Sequence, residues 1–324
     1  MPIASNLSAI TLFSGITLLA GATAALGEPL PKCLFVSSYH QGYAWSDGVE
    51  RGLRDTLAGK CEVRQFDMDT KRRKSEAEQK AAALAAKDLI ESWQPDVVMI
   101  ADDNAARHLV VPYYRNADLP IIFCGINWTV QEYGFPYRNV TGMIEVAPVQ
   151  AMVDEAKALT PGAARTLYLG AATKTERKNA ERLRRAAEKA GLVFDEALTP
   201  TLEQWVEAYT RGQDYDFVIM GSNAGINDWD EAAAIRAITP VTRRLSVTSH
   251  EWMMPVSMLG MTKIPEEQGE WAASVALQVL DGTEAGSIPI IANRKWDLFI
   301  NQGLLNAAGI VLPERLKAKG KVYQ

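Results

Sequence analysis

The chain is poor in the residues and motifs that most often carry chemistry. It has three histidines and three cysteines in 324 residues, and no histidine pairs with a cysteine at metal-ligand spacing, so no metal site is expected. No G-x-G-x-x-G follows the first apolar run and no Walker sequence occurs. Met220-Gly221-Ser222-Asn223-Ala224 lacks the glycine that a nucleophile elbow places two before its serine. Dinucleotide, nucleotide-phosphate and serine-hydrolase chemistry are set aside on these grounds, and no cofactor and no enzymatic activity are expected. Positive charge is also scarce: the net charge is −5 and the only dense basic run is Lys71-Arg72-Arg73-Lys74, read as a solvated turn, so no nucleic-acid partner is expected. Apart from the N-terminus, no apolar run approaches the roughly 18 residues of a membrane helix.

What is present begins with a leader. Ile10–Ala20 is an apolar h-region, and Ala22-Thr23-Ala24 and Ala25-Leu26-Gly27 are small-residue cleavage sites. Residues 1–27 therefore read as a secretory signal peptide cleaved near Ala24 to Gly27, although no Lys or Arg precedes the h-region. The mature chain is expected in the periplasm. Cys33 and Cys61 start two successive strand candidates, so either a disulfide at one sheet edge or two buried thiols is consistent with their positions. Cys124 is left as a small buried hydrophobe.

From Leu34 onward, apolar runs alternate with helical patterns, which predicts βα units around parallel sheets. The strand candidates are Cys33–Val36, Glu62–Phe66, Asp96–Ala101, Pro120–Gly125 and Val140–Ile144, then Thr166–Gly170, Leu192–Ala197, Asp216–Ser222, Leu245–Ser249, Pro255–Met261, Ile288–Ala292 and Trp296–Asn301. Ser75 with Glu78, and Thr173 with Glu176, have capping-box spacing. The fold class is α/β: two open, doubly wound parallel-sheet lobes.

Ligands of open α/β sheets bind outside the carboxyl ends of the strands. Six loops occupy those positions, led by Ser37-Ser38-Tyr39-His40, Asp102-Asp103-Asn104 and Gly125-Ile126-Asn127-Trp128 in the first half. The second half offers Ala171-Ala172-Thr173-Lys174, Ser222-Asn223-Ala224-Gly225 and His250-Glu251-Trp252. Trp45, Trp128, Trp229 and Trp252 lie in or beside these loops, either as aromatic walls of a cleft or as packing against the sheet. Asp102, Asp103, Asp228 and Glu251 bring carboxylates, of which Asp102 or Asp103 also suits a helix cap. Lys174 is the obvious cation and no arginine occurs in the six loops, a balance that favours a neutral or amine-bearing ligand.

Ser38–Asp47, Asn139-Val140-Thr141-Gly142-Met143, and the tail from Pro255 through Trp296–Ile300 to Leu304–Ile310 resemble ABC-transporter substrate-binding proteins of the tryptophan/tyrosine-binding type. The resemblance spans nearly the whole mature chain. It implies a type I periplasmic-binding fold with a three-segment hinge, an exported receptor, a small-molecule ligand (amino-acid-like, heterocyclic or sugar) and an ABC permease as partner, with a monomer as default. It implies Ser38, Tyr39, Asn104, Asn127, Thr173, Ser222, Asn223 and Glu251 as ligand contacts; the loop reading adds Trp45, Asp103, Trp128 and Trp252. Hinge crossings near Gly142, Gly260 and Ser287 divide the chain into a first lobe of 28–142 plus 261–287 and a second of 143–260 plus 288–324. The first loop is longer and more aromatic than the family's common short form. A ligand-sensing receptor for a membrane histidine kinase and an exported enzyme are the alternative functions.

Overall fold

The computed structural model describes Met1 and residues 29–323; apart from Met1, the expected leader lies outside the described residues. Two sheets organise the chain. The first contains β1 (Lys32–Ser37), β2 (Glu62–Asp67), β3 (Val97–Ala101), β4 (Ile121–Asn127) and β5 (Val140–Glu145). The second contains β6 (Arg165–Ala171), β7 (Val193–Thr199), β8 (Phe217–Met220), β9 (Leu245–Thr248) and β10 (Leu259–Lys263). Three further strands complete the set: β11 (Ile291–Ala292), β12 (Trp296–Ile300) and β13 (Lys321–Val322). The orders are β11-β5-β4-β3-β1-β2 and β13-β12-β10-β9-β8-β6-β7. All pairings are parallel except β10 with β12. The α/β reading and its two sheets agree with this architecture.

The central strands are buried on both faces, which explains why they read as continuous apolar runs; every residue of β3 and of β8 is buried. Edge strand β2 instead mixes exposed and half-buried positions. In each sheet the order reverses beside the first strand, between β1 and β3 and between β6 and β8. These are switch points, where adjacent strand-to-helix loops part and leave a crevice.

One face of the first sheet is covered by helices Ala44–Leu57 and Pro265–Leu280, which approach each other through glycines. A Cβ on Gly269 would lie 2.7 Å from the backbone nitrogen of Leu53, and one on Gly52 would run into the backbone of Glu266. The other face carries Glu76–Trp93, opened by a complete Ser75/Glu78 capping box. The helix after β3 begins at Asp102 and widens to a π-turn over Ala106–Val110 just before Pro112. Proline clashes with the carbonyl four residues back, and a wider turn relieves that clash.

Several expectations are corrected. Pro255 does not open a strand: Glu251–Val256 forms a 3₁₀ helix, and β10 begins at Leu259, because proline cannot donate to a ladder. The segment placed in the second lobe from residue 288 stays with the first sheet through β11, which pairs with β5. Thr141 Oγ1 donates to the Ile288 carbonyl at 2.7 Å and Val146 N donates to Asn293 Oδ1 at 2.7 Å, holding it there. By strand pairing the chain leaves the first sheet after Glu145, the second after Lys263 and the first again after Ala292, each a few residues beyond the expected crossings. Cys33 and Cys61 form a disulfide with Cα atoms 6.0 Å apart, and Cys124 is buried and free.

Candidate functional site

The β1 loop is tied to the β3 loop before either meets a ligand. Ser38 Oγ donates to the Ala101 carbonyl at 2.6 Å and accepts from Ala105 N at 2.8 Å. Thr70 Oγ1 donates to the Ser38 carbonyl at 2.7 Å and accepts from Asn104 Nδ2 at 2.8 Å. Ser38 and Asn104 are therefore braces. What they position is aromatic: Tyr39 and Tyr43 meet edge to face with centroids 5.2 Å apart. Lys71 Nζ lies 4.2 Å from the Tyr39 ring centre and 4.8 Å from that of Tyr43.

Asp102 follows β3 with φ +69°, a left-handed conformation that costs energy for a residue bearing a Cβ. That turn aims its carboxyl at a cavity while leaving it only 2% exposed. Its Oδ2 has no hydrogen-bond partner among the described residues. Burial, with Glu145 and Asp103 nearby, pushes this carboxyl well above the ordinary range. Asp103 does a different job: it accepts from Asn127 Nδ2 and from the Tyr133 hydroxyl, both at 2.7 Å, and so orients Asn127.

Glu145 at the end of β5 and Lys263 at the end of β10 form an ion pair across the two sheets. Burial raises the Glu145 carboxyl, and Lys263 opposes that rise. Lys263 Nζ also stands 5.1 Å from the Trp45 ring centre. On the second lobe, His250 and Trp252 stack with centroids 4.5 Å apart. Burial, then the charge of Lys263, pushes His250 down to about 4, which keeps it neutral at pH 7.

These groups line two cavities. The larger, about 400 Å³, is bounded by Tyr39, Tyr43, Trp45, Lys71, Asp102, Asn127, Glu145, Glu251, Trp252 and Lys263, with Ser249 and Thr262. The smaller, about 190 Å³, is bounded by Asn127, Trp128, Tyr168, Asn179, Arg182, Ser249, His250 and Lys263 over an apolar floor that includes Leu183 and Ile219. Asn127, Ser249 and Lys263 belong to both. Residues of both sheets contribute to each, so the cavities sit in the cleft between the lobes. Among the described residues no cluster of three His, Cys, Asp or Glu has metal-binding geometry, and no helix is long and apolar enough to cross a membrane.

Of the twelve residues singled out from sequence, Tyr39, Trp45, Asn127, Glu251 and Trp252 line the larger cavity, and Asn127 and Trp128 the smaller. Ser38, Asp103 and Asn104 support the walls. Thr173, Ser222 and Asn223 line neither. Thr173 caps helix Lys174–Lys189 by accepting from Glu176 N at 3.1 Å. The Ser222 hydroxyl accepts from Ala224 N at 3.0 Å. The expected reciprocal half of the Thr173 box is missing because the Glu176 carboxylate turns inward, to the Tyr168 hydroxyl, Ser222 N at 2.9 Å and Asn179 Nδ2 at 2.8 Å. Trp229 packs edge to face on buried Trp205 rather than lining the cleft.

Sequence reasoning missed Tyr43, Lys71, Lys263, Asn179 and Arg182 as lining groups, and the expected cation Lys174 is exposed and lines neither cavity. The signal for one group was present: Thr175, Asn179, Arg182 and Leu183 follow the spacing i, i+4, i+7, i+8 and share one helix face.

A family model described as ABC transporter substrate binding protein matches residues 35–322. The chain belongs to that family. It is a solute-binding receptor of the kind that serves an ABC importer. Among solved structures, it is similar to an ABC domain in complex with L-Trp from Streptococcus pneumoniae, at 18% identity and TM-score 0.58, covering 91% of this chain and 99% of that one. It is also similar to a ligand-free, open substrate-binding protein with adhesive properties from Clostridium difficile, at 13% identity and TM-score 0.73, over 91% and 99% of the two chains. A third is a solute-binding protein from Bacillus halodurans with bound myo-inositol, at 15% identity and TM-score 0.51, over 88% and 100%. No curated protein matches.

Proposed function

We propose that this receptor captures an amine-bearing aromatic or heterocyclic solute in the larger cavity and closes its lobes on it. The observation that carries this reading is Asp102: a buried carboxyl with an unpartnered oxygen, facing a space walled by Tyr39, Tyr43, Trp45 and Trp252, whose ionised form a ligand ammonium would favour. A buried polar atom without a partner is costly, and a ligand ammonium would supply one. The aromatic faces favour a cation and a planar group together; Lys71 and Lys263 already lie over Tyr39, Tyr43 and Trp45.

A similar ligand-free protein is open, and in this reading the lobes of this receptor open and close likewise. Ligand contacts that exist only in the closed form would then shift the balance, by no more than the difference in affinity between the two forms. In this reading the chain is exported to the periplasm, acts as a monomer, delivers its solute to an inner-membrane permease and turns nothing over.

Tryptamine is a suitable probe. It should bind with a decrease in radius of gyration by small-angle scattering. Asp102→Asn should weaken it by about 10- to 100-fold, equivalent to the ~1.5–3 kcal/mol of a charged hydrogen bond. Tryptamine binding that is indifferent to Asp102→Asn, or that leaves the scattering unchanged, would count against the proposal.

A further inference from the structure

The smaller cavity has a charge character opposite to the larger one. No Asp or Glu lines it, whereas Asp102, Glu145 and Glu251 line its neighbour. Its cations are Lys263, already engaged by Glu145, and Arg182, which forms no ion pair among the described residues.

Arg182 is held in a defined posture. Its guanidinium carbon lies 4.1 Å from the centre of the Trp128 ring, and Trp128 is itself fixed at φ +61°. Arg182 Nη1 donates to Asn179 Oδ1 at 3.3 Å. Asn179 is in turn fixed by donating to Glu176 Oε1 at 2.8 Å. Glu176 is 1% exposed, and its other oxygen is taken up by the Tyr168 hydroxyl and Ser222 N. A guanidinium held over an aromatic ring, with one Nη1–H given to Asn179, still has N–H groups for a planar oxyanion, the geometry that favours carboxylate. Partial burial disfavours the cation, Glu181 nearby offsets that only in part, and a ligand anion would oppose it further.

We propose that the two cavities are one bipolar site and that the solute is a short peptide, its ammonium at Asp102 and its carboxylate at Arg182. This rests on the amine-capture reading above and extends it. Three shared wall residues, Asn127, Ser249 and Lys263, place the two cavities side by side. An α-amino acid carries both charges on one carbon and cannot place them in separate compartments. A dipeptide separates them by a peptide unit, leaving an aromatic first side chain among the tyrosines and tryptophans. A small aliphatic second side chain then meets Leu183 and Ile219. Trp128 comes from the first lobe and Arg182 from the second, so the carboxylate end would bind where the two lobes meet.

Calorimetric titration with tryptamine, L-tryptophan and L-tryptophyl-L-alanine tests this. The dipeptide should bind at least about tenfold more tightly than either single-residue probe, as expected for an added charge-assisted contact. Arg182→Gln should remove that advantage while leaving tryptamine affinity within about twofold and the thermal transition unchanged; Arg182→Lys should restore part of it. The proposal is overturned if tryptophan binds as tightly as the dipeptide, if Arg182→Gln weakens tryptamine equally, or if it leaves the ratio unaltered. In those cases, tryptamine binding that still depends on Asp102 leaves the amine-capture reading standing. A parent protein that binds none of the three probes overturns both.

Discussion

Lys263→Met should destabilise the protein far more at pH 8 than at pH 5.5. Lys263 and Glu145 close the ends of β10 and β5, and the Glu145 side chain is only 7% exposed, against 26% for Lys263. Removing one partner of a buried pair leaves an uncompensated charge and costs about 3–5 kcal/mol; the partial exposure of Lys263 argues for the lower end, about 3 kcal/mol. In domains of this size that corresponds to a fall in Tm of about 6–12 °C. Acid relieves the cost. Burial already raises the folded-state carboxyl of Glu145 while Lys263 pulls it down, so deleting the lysine raises it further. A raised carboxyl means the native state holds a proton that the unfolded chain releases. Its contribution is therefore present at low pH and lost as pH rises through the folded value. Glu145→Gln leaves the more exposed ammonium near water and should cost about 1 kcal/mol or less, by analogy with exposed pairs. Scanning calorimetry of the three proteins at both pH values measures this. Equal shifts for Lys263→Met at pH 5.5 and 8, or equal shifts for the two variants, would refute the reasoning.

Gly269→Ala should lower the urea midpoint by the equivalent of about 1–3 kcal/mol, because the new methyl meets Leu53 N at 2.7 Å; an unchanged midpoint would mean the two helices are not in such close register. Ser38→Ala and Trp252→Ala should separate brace from wall. The first should cost about 1–3 kcal/mol of stability by orphaning Ala105 N. The second, at a residue 55% exposed, should leave Tm unchanged and weaken tryptamine by about 0.5–1.5 kcal/mol; the reverse pattern would exchange their roles. His250→Gln should flatten the acid limb of the stability profile. The folded imidazole, pushed down to about 4, refuses the proton that the unfolded one accepts below about 6.5. The parent therefore loses up to about 3 kcal/mol as pH falls from 6.5 to 4, relative to the variant. Parallel urea profiles at pH 7.5, 5.5 and 4.5 would rule this out.

The fold was legible because β1, β3, β4, β6 and β8 are buried on both faces and leave unbroken apolar runs. The failure at Pro255 was local, a proline without a ladder donor, whereas the lobe assignment of β11 failed because its pairing depends on partners distant in sequence, such as Thr141 with Ile288. The site divides along a physical line. The carboxyl-end rule located the right loops, but within a strand-to-helix turn the backbone competes for short polar side chains. Ser38, Thr173 and Ser222 each accept from a backbone N–H there; for Ser38 and Thr173 that donor is one a helix start leaves unpaired, and for Ser222 it is Ala224 N in the turn after β8. Once so engaged, their oxygens serve the turn rather than the cleft. Many of the groups that do reach the cavities are long: Tyr39, Tyr43 and Lys71 before or between helices, Glu251 at the start of a 3₁₀ helix, Lys263 from a strand end and Arg182 from a helix face, though short Asp102, Asn127 and Ser249 line them too. Local backbone demand, more than side-chain length, therefore separates walls from braces here. The group hardest to foresee is Lys263, whose place in the cleft depends on the end of β10 meeting Glu145 of the other sheet.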